Sequence, residues 1–118
     1  MNINANQINI ESYDWSGEIP ESNLVIVKNA YGSIRSRSNS EPRVFLHASY
    51  QEIGGMPLTP SFSINKVDGN LIIEVIYKAE IKDDQGQLRG RTDISILFPP
   101  QVKLIAETTN GMIKMKYL

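Results

Sequence analysis

The sequence predicts an all-β domain, built either as a short β-solenoid or β-helix-like stack or as a two-sheet β-sandwich. Three observations predict it. Turn signals recur at short intervals, at Trp15–Gly17, Pro20–Asn23, Tyr31-Gly32, Asn39–Pro42, Gly54–Pro57, Asp68–Asn70, Asp83–Gly86, Pro99-Pro100 and Asn110-Gly111, with strand-length runs of Ile, Val, Leu, Phe and Tyr between them. No stretch long enough for a helix carries apolar residues at the i, i+3, i+4, i+7 spacing of an amphipathic helix. The segment NAYGSIRSR at 29–37 returns as TTNGMIKMK at 108–116, glycine on glycine, an offset of 79 from position 32 to position 111.

Taken in order, residues 1–20 are an acidic N-terminal segment, with Glu11, Asp14 and Glu18 and no Lys or Arg, read as a solvated stretch or as a lid in which Trp15 packs over one end of the core. The run from Leu24 to Val27 leads through Asn29 into Gly32 and then the alternating segment Ile34–Arg37. Strand side chains alternate, so Ile34 faces one way and Arg35 and Arg37 the other. The echo repeats this with Val102–Ala106, Asn110, Gly111, Ile113 and then Lys114 and Lys116. Gly32 and Gly111, with Asn29 and Asn110 beside them, are therefore predicted to hold equivalent tight turns.

Between these copies, Val44, Leu46 and Ala48 form one inward set, Leu71, Ile73, Val75 and Tyr77 a second, and Ile94, Ile96 and Phe98 a third. Val102, Leu104 and Ala106 form a fourth. Several residues opposite these sets are also apolar (Ile72, Ile76, Leu97, Ile105), which predicts strands covered on both faces. Residues 51–61 and 82–91 read as loops.

Composition narrows the chemistry. The 118 residues make one domain, 1–118, with a formal net charge of −1, which argues against nucleic-acid binding. There is no cysteine, hence no disulfide, thiolate nucleophile or zinc ribbon. No apolar run has the length of a membrane span, and the first residues do not read as a signal peptide, although Met1 is also compatible with a start placed after a removed leader. His47 is the only histidine and sits between Leu46 and Ala48, without ligand-type partners at metal-site spacing, and reads as a surface or half-buried strand residue. No serine lies in a GxSxG elbow. Asp83-Asp84 reads as a polar hairpin tip, with too few oxygen ligands for calcium. Gly86 and Gly90 do not make a phosphate loop. Tyr13, Trp15, Tyr31, Tyr50, Tyr77 and Tyr117 are weighed as a sugar-stacking surface and read instead as core or lid residues. The chain is thus expected to be no enzyme and to hold no cofactor and no metal.

The strand leading into Asn29, Gly32 and Ile34, the set Asp93, Ile96 and Pro99, and the set Leu104, Thr108, Gly111 and Ile113 resemble the bacterial putative adhesin family, a domain of unknown function. The resemblance spans residues 24–118. It implies a β-helix or solenoid of stacked G-x-I strands, a non-enzymatic structural or adhesion-type role on a bacterial cell envelope, and an extracytoplasmic location in the periplasm or at the cell surface. It brings no catalytic residues. Members of that family continue with more repeats, whereas this chain stops at Tyr117-Leu118, as a fragment or short member does. A second resemblance, from Asp68-Gly69 through RGRTDISILFPP to NGMIKM, is to the α-crystallin domain of small heat-shock proteins and implies a chaperone. A carbohydrate-binding β module is the remaining alternative. The surface expected to interact comprises Arg35, Arg37, Lys114, Lys116 and Tyr117. A homodimer through the C-terminal edge strand, 111–118, is the expected self-association, with no nucleic acid and no membrane insertion.

Overall fold

A computed structural model describes residues 8–53, 60–77, 90–110 and 113–116. Among them are nine strands: β1 (Ile8–Glu18), β2 (Leu24–Tyr31), β3 (Ile34–Ser38), β4 (Arg43–Ile53), β5 (Ser61–Val67), β6 (Asn70–Ile76), β7 (Gly90–Phe98), β8 (Lys103–Asn110) and β9 (Ile113–Lys116). They form a five-stranded sheet in the order β1-β4-β7-β3-β9 and a four-stranded sheet in the order β5-β6-β2-β8. Both sheets are mixed and open, so the fold is an all-β two-sheet sandwich. No helix among the described residues is long and apolar enough to cross a membrane.

The 79-residue echo is physical stacking. β8 lies parallel beside β2 with Leu24 opposite Lys103 and Val27 opposite Ala106, and β9 lies parallel beside β3 with Ile34 opposite Ile113. Both pairings hold the sequence offset of 79, one in each sheet. β2-β3 and β8-β9 are therefore two rungs laid side by side, each with one strand in either sheet.

A third rung lies on the other side of the first. β6 is parallel to β2 with Val25 opposite Leu71, and β7 is parallel to β3 with Ile34 opposite Ile94. The offset is 46 in the first sheet and 60 in the second, so 14 more residues separate β6 from β7 than separate β2 from β3. Locally these rungs are solenoid-like, yet the β2-β3 rung, first in the chain, is the middle one in space. Antiparallel β1, β4 and β5 complete the sheets. Of the two arrangements open to the sequence, the sandwich forms and a sequential solenoid does not.

The core lies between the sheets, as the alternation requires. Val25, Val27, Leu71, Ile73 and Val75 from the four-stranded sheet meet Ile34, Val44, Leu46, Ala48, Ile94 and Ile96 from the five-stranded one, all buried. Leu104, Ala106 and Phe98 pack against this cluster. The expectation of strands covered on both faces is not met: Ile76 and Ile105 are 43% and 46% exposed, and the outward side chains face away from the sandwich. Three outward isoleucines, Ile72, Ile26 and Ile105, lie side by side across β6, β2 and β8, and shelter each other partly.

Residues 8–18 of the acidic N-terminal segment form the outermost strand of the five-stranded sheet, paired with β4 from Ile8↔Ile53 to Glu18↔Arg43. Trp15 packs on the core from this strand, and Tyr13 stacks on Phe62 of the facing sheet at a centroid distance of 4.5 Å. The strand ends at Glu18, and in the turn that follows Asn23 N donates to Pro20 O and Asn23 adopts φ 58°. The β5-β6 hairpin turns at Asp68-Gly69 with φ of 53° and 81°, the left-handed pair of a two-residue hairpin loop. Its tip docks on the Pro20–Asn23 turn through Ser22 N to Gly69 O.

Candidate functional site

The turn that joins β2 to β3 is fastened to β7 by a chain of hydrogen bonds. Gly32 stands at φ 127°, a backbone region that glycine alone adopts readily. Its Cα rests against β7 so closely that a Cβ there would lie 1.7 Å from the Thr92 carbonyl oxygen. Asn29, 3% exposed, donates from Nδ2 to that same carbonyl at 2.7 Å. Ser33 N and Oγ donate to Asp93 Oδ1 at 2.9 and 2.7 Å, and Ile94 N donates to Ser33 O. From the far side, Thr108 Oγ1 donates to Gly32 O. Tyr77 Oη and Thr92 Oγ1 share a hydrogen bond of 2.6 Å.

Arg91 completes the cluster, gripping the Asp93 carboxylate through Nε and Nη2, the shortest contact being 2.7 Å. Burial pushes the Asp93 carboxyl up, but the Arg91 guanidinium and the two Ser33 donors outweigh it and hold the group below the usual carboxylate range. Burial, reinforced by the Asp93 charge, pushes the Tyr77 hydroxyl up despite the Thr92 bond, so it stays protonated at neutral pH. These groups hold the turn, while the buried Asn29 Oδ1 has no hydrogen-bond partner among the described residues. The cluster locks the β2-β3 turn onto β7.

The Asp93 shift has a measurable consequence. A carboxyl whose folded-state pKa is depressed adds stability that is present above its unfolded value and lost as pH falls through the folded one. The Asp93→Asn variant is therefore expected to lose stability at pH 7 and to show a shallower acid-side decline than the parent below about pH 4. Chemical denaturation at a series of pH values measures both. Equal slopes for the two proteins would contradict the assignment.

The outer face of the five-stranded sheet is organised in rows, because the registers of β1, β4, β7, β3 and β9 align. One row runs Asp14, His47, Ser95, Arg35 and Lys114. The next runs Ser16, Phe45, Leu97, Arg37 and Lys116. Arg35 and Arg37 are exposed, and neither makes an ion pair with a described residue. With Lys114 and Lys116 at the adjoining register positions they make a two-by-two block of cationic residues. Asp14, Ser16, Phe45, His47 and Leu97 line a shallow depression of about 290 Å³ beside it, whose floor is the half-buried pair Phe45 and Leu97.

Asp14 Oδ1 accepts from His47 Nδ1 at 2.6 Å. Nε2 makes no hydrogen bond with a described residue. Asp14, His47 and Ser95 have the composition of a catalytic triad. Ser95 makes no hydrogen bond to the imidazole, however, and the His47 and Asp14 side chains are 50% and 74% exposed. The pair therefore lies on an open, water-exposed sheet face. No group of three or more His, Cys, Asp or Glu residues among the described ones is placed to hold a metal ion.

Of the residues singled out by sequence, Asn29 and Gly32 meet in the turn lock, and Arg35 and Arg37 stand in the outer-face rows, opposite Lys114 and Lys116. Asn110 lies opposite Tyr31 in the β2-β8 ladder. Gly111 and Tyr117, like Asp83 and Asp84, lie outside the described residues. Among the tyrosines, Tyr50 is buried and packs with Tyr31 and Tyr77. The residues missed by sequence are Asp14, Phe45, Ser95 and Leu97. Alternation shows which side chains share a face of one strand, but only the order β1-β4-β7-β3 makes neighbours of them.

No family profile matches the chain, and no curated protein matches it. Among solved structures, it is similar to a putative cell adhesion protein from Clostridium sporogenes, with 9% sequence identity and a TM-score of 0.49. The similarity covers 89% of this chain and 51% of that one, so the chain spans about half the length of that protein.

Proposed function

We propose that this chain is a non-enzymatic, adhesion-type module of a bacterial cell envelope, working outside the cytoplasm through contacts made by the outer face of its five-stranded sheet. The observation that carries this reading is the exposed pair Arg35 and Arg37 on the outer sheet face, with Lys114 and Lys116 at the adjoining register positions, neither arginine having an ion-pair partner among the described residues. Charges left unpaired on a rigid surface do little for stability and are suited to steering and holding an oppositely charged partner. The turn lock supports the same reading, since it commits its polar groups to rigidity and keeps the platform in a fixed shape.

Cosedimentation of the labelled protein with intact bacteria and with isolated envelope tests it. The parent is expected to sediment with both. The Arg35→Glu/Arg37→Glu variant is expected to lose about tenfold or more of that affinity at low salt, with unchanged thermal unfolding. Equal binding by parent and variant, or binding by neither, would overturn the reading.

A further inference from the structure

The proposed contact surface has a chemistry of its own, and any ligand assigned to it rests on that proposal. Three kinds of group adjoin on the outer face. Phe45 and Leu97, cross-strand neighbours, form an apolar floor. On one side stand Asp14 and His47, a carboxylate acceptor joined to an imidazole whose Nε2 is available. On the other side stand Arg35 and Arg37, with the Ser95 hydroxyl position between Arg35 and His47. From Phe45 to Arg37 is two strand spacings, about 10 Å.

We infer that this depression binds an acidic saccharide. The apolar face of a sugar ring lies on Phe45, its hydroxyls meet the Asp14 carboxylate and the His47 ring, and the carboxylate or sulfate of the same or the next sugar lies at Arg37 and Arg35. Each half of the face excludes an alternative. A neutral saccharide leaves both arginines without partners. A nucleic acid or another densely charged polyanion sets negative groups against Asp14, which is exposed in the same row as Arg35. An acidic peptide satisfies the arginines but gives the aromatic floor and the hydroxyl-binding pair no specific task. Arg pairs with planar anions in a bidentate manner, and an aromatic ring beside polar side chains is suited to the mixed surface of a sugar.

Titration calorimetry with tetragalacturonate as the acidic probe, cellotetraose as the neutral one and a tetraglutamate peptide as the charge-matched one tests the inference. The parent is expected to prefer tetragalacturonate over both others. Arg37→Glu is expected to weaken that binding about tenfold or more, and the loss should shrink as salt is raised. Phe45→Ala, a change on the outer face, is expected to weaken tetragalacturonate about fivefold and leave tetraglutamate unaffected. Equal affinity for tetragalacturonate and tetraglutamate, both indifferent to Phe45→Ala, would overturn the saccharide in favour of a peptide or general polyanion. No binding of tetragalacturonate by a parent that still sediments with cells in an Arg35- and Arg37-dependent way would overturn the ligand alone and leave the contact surface standing.

Discussion

Replacing Gly32 with valine is expected to destabilise the fold by about 3 kcal/mol or more, the largest effect of any single change proposed. Two penalties act together. The backbone at φ 127° is closed to a β-branched residue, and the new Cβ would sit 1.7 Å from the Thr92 carbonyl oxygen, inside the β7 ladder. Relief requires the turn to move away from β7. Such a movement disrupts the bonds from Asn29 to Thr92 O and from Ser33 to Asp93 together. Typical domains are stable by only about 5–15 kcal/mol, so a large share of the total is at stake. Urea unfolding of the variant measures the loss. A shift within experimental error of the parent would mean that Gly32 is not held as described.

Ile34→Ala carries the second large effect, about 2–5 kcal/mol. Ile34 is fully buried and lies opposite both Ile94 and Ile113, in the middle rung of the stack. Its side chain can be covered from neither outer face, and the strands on either side are fixed by their own ladders, so the space left by truncation collapses poorly. Ile76→Ala, on the exposed outer face of β6, is the matched control and is expected to change stability by less than about 1 kcal/mol. Equal losses for the two would contradict the inward and outward assignment.

Much of this fold is legible in the sequence because two of its rungs share one uninterrupted sequence pattern. Asn29–Arg37 and Thr108–Lys116 keep glycine on glycine, and the register repeats their offset without a slip. The third rung uses the same plan, yet the sequence conceals it. Leu71–Tyr77 parallels Val25–Tyr31, tyrosine falling on tyrosine, but the offset then changes by 14 before Ile94 meets Ile34. At the position matching Gly32, β7 carries Thr92, so the glycine signal is absent as well. β1 is hidden for a different reason: its inward residues Tyr13, Trp15 and Gly17 alternate with serines and acids, and its pairing with β4 is not encoded in its own composition. The outer-face rows depend on that pairing. Arg35 and Arg37 can be picked out from alternation alone, whereas Asp14, His47 and Phe45 become part of one surface only when the two strands are adjacent.

The order of the rungs bears on how the chain reaches this structure. The middle rung, β2-β3, is made first, and its two neighbours come from 46 to 79 residues later in the chain. During synthesis it waits with both of its edges unpaired until the second half of the chain emerges. Each ladder then closes a long loop before any contact rewards it, which places this protein among slow folders of its size. The exposed interval is when a stray strand from another nascent chain can take the place of β6 or β8. Arg35, Arg37 and Lys28 are carried on the waiting rung, and like charges on two such rungs repel each other. Arg35 and Arg37, assigned above to a contact surface, thus have a second task in keeping unfinished copies apart.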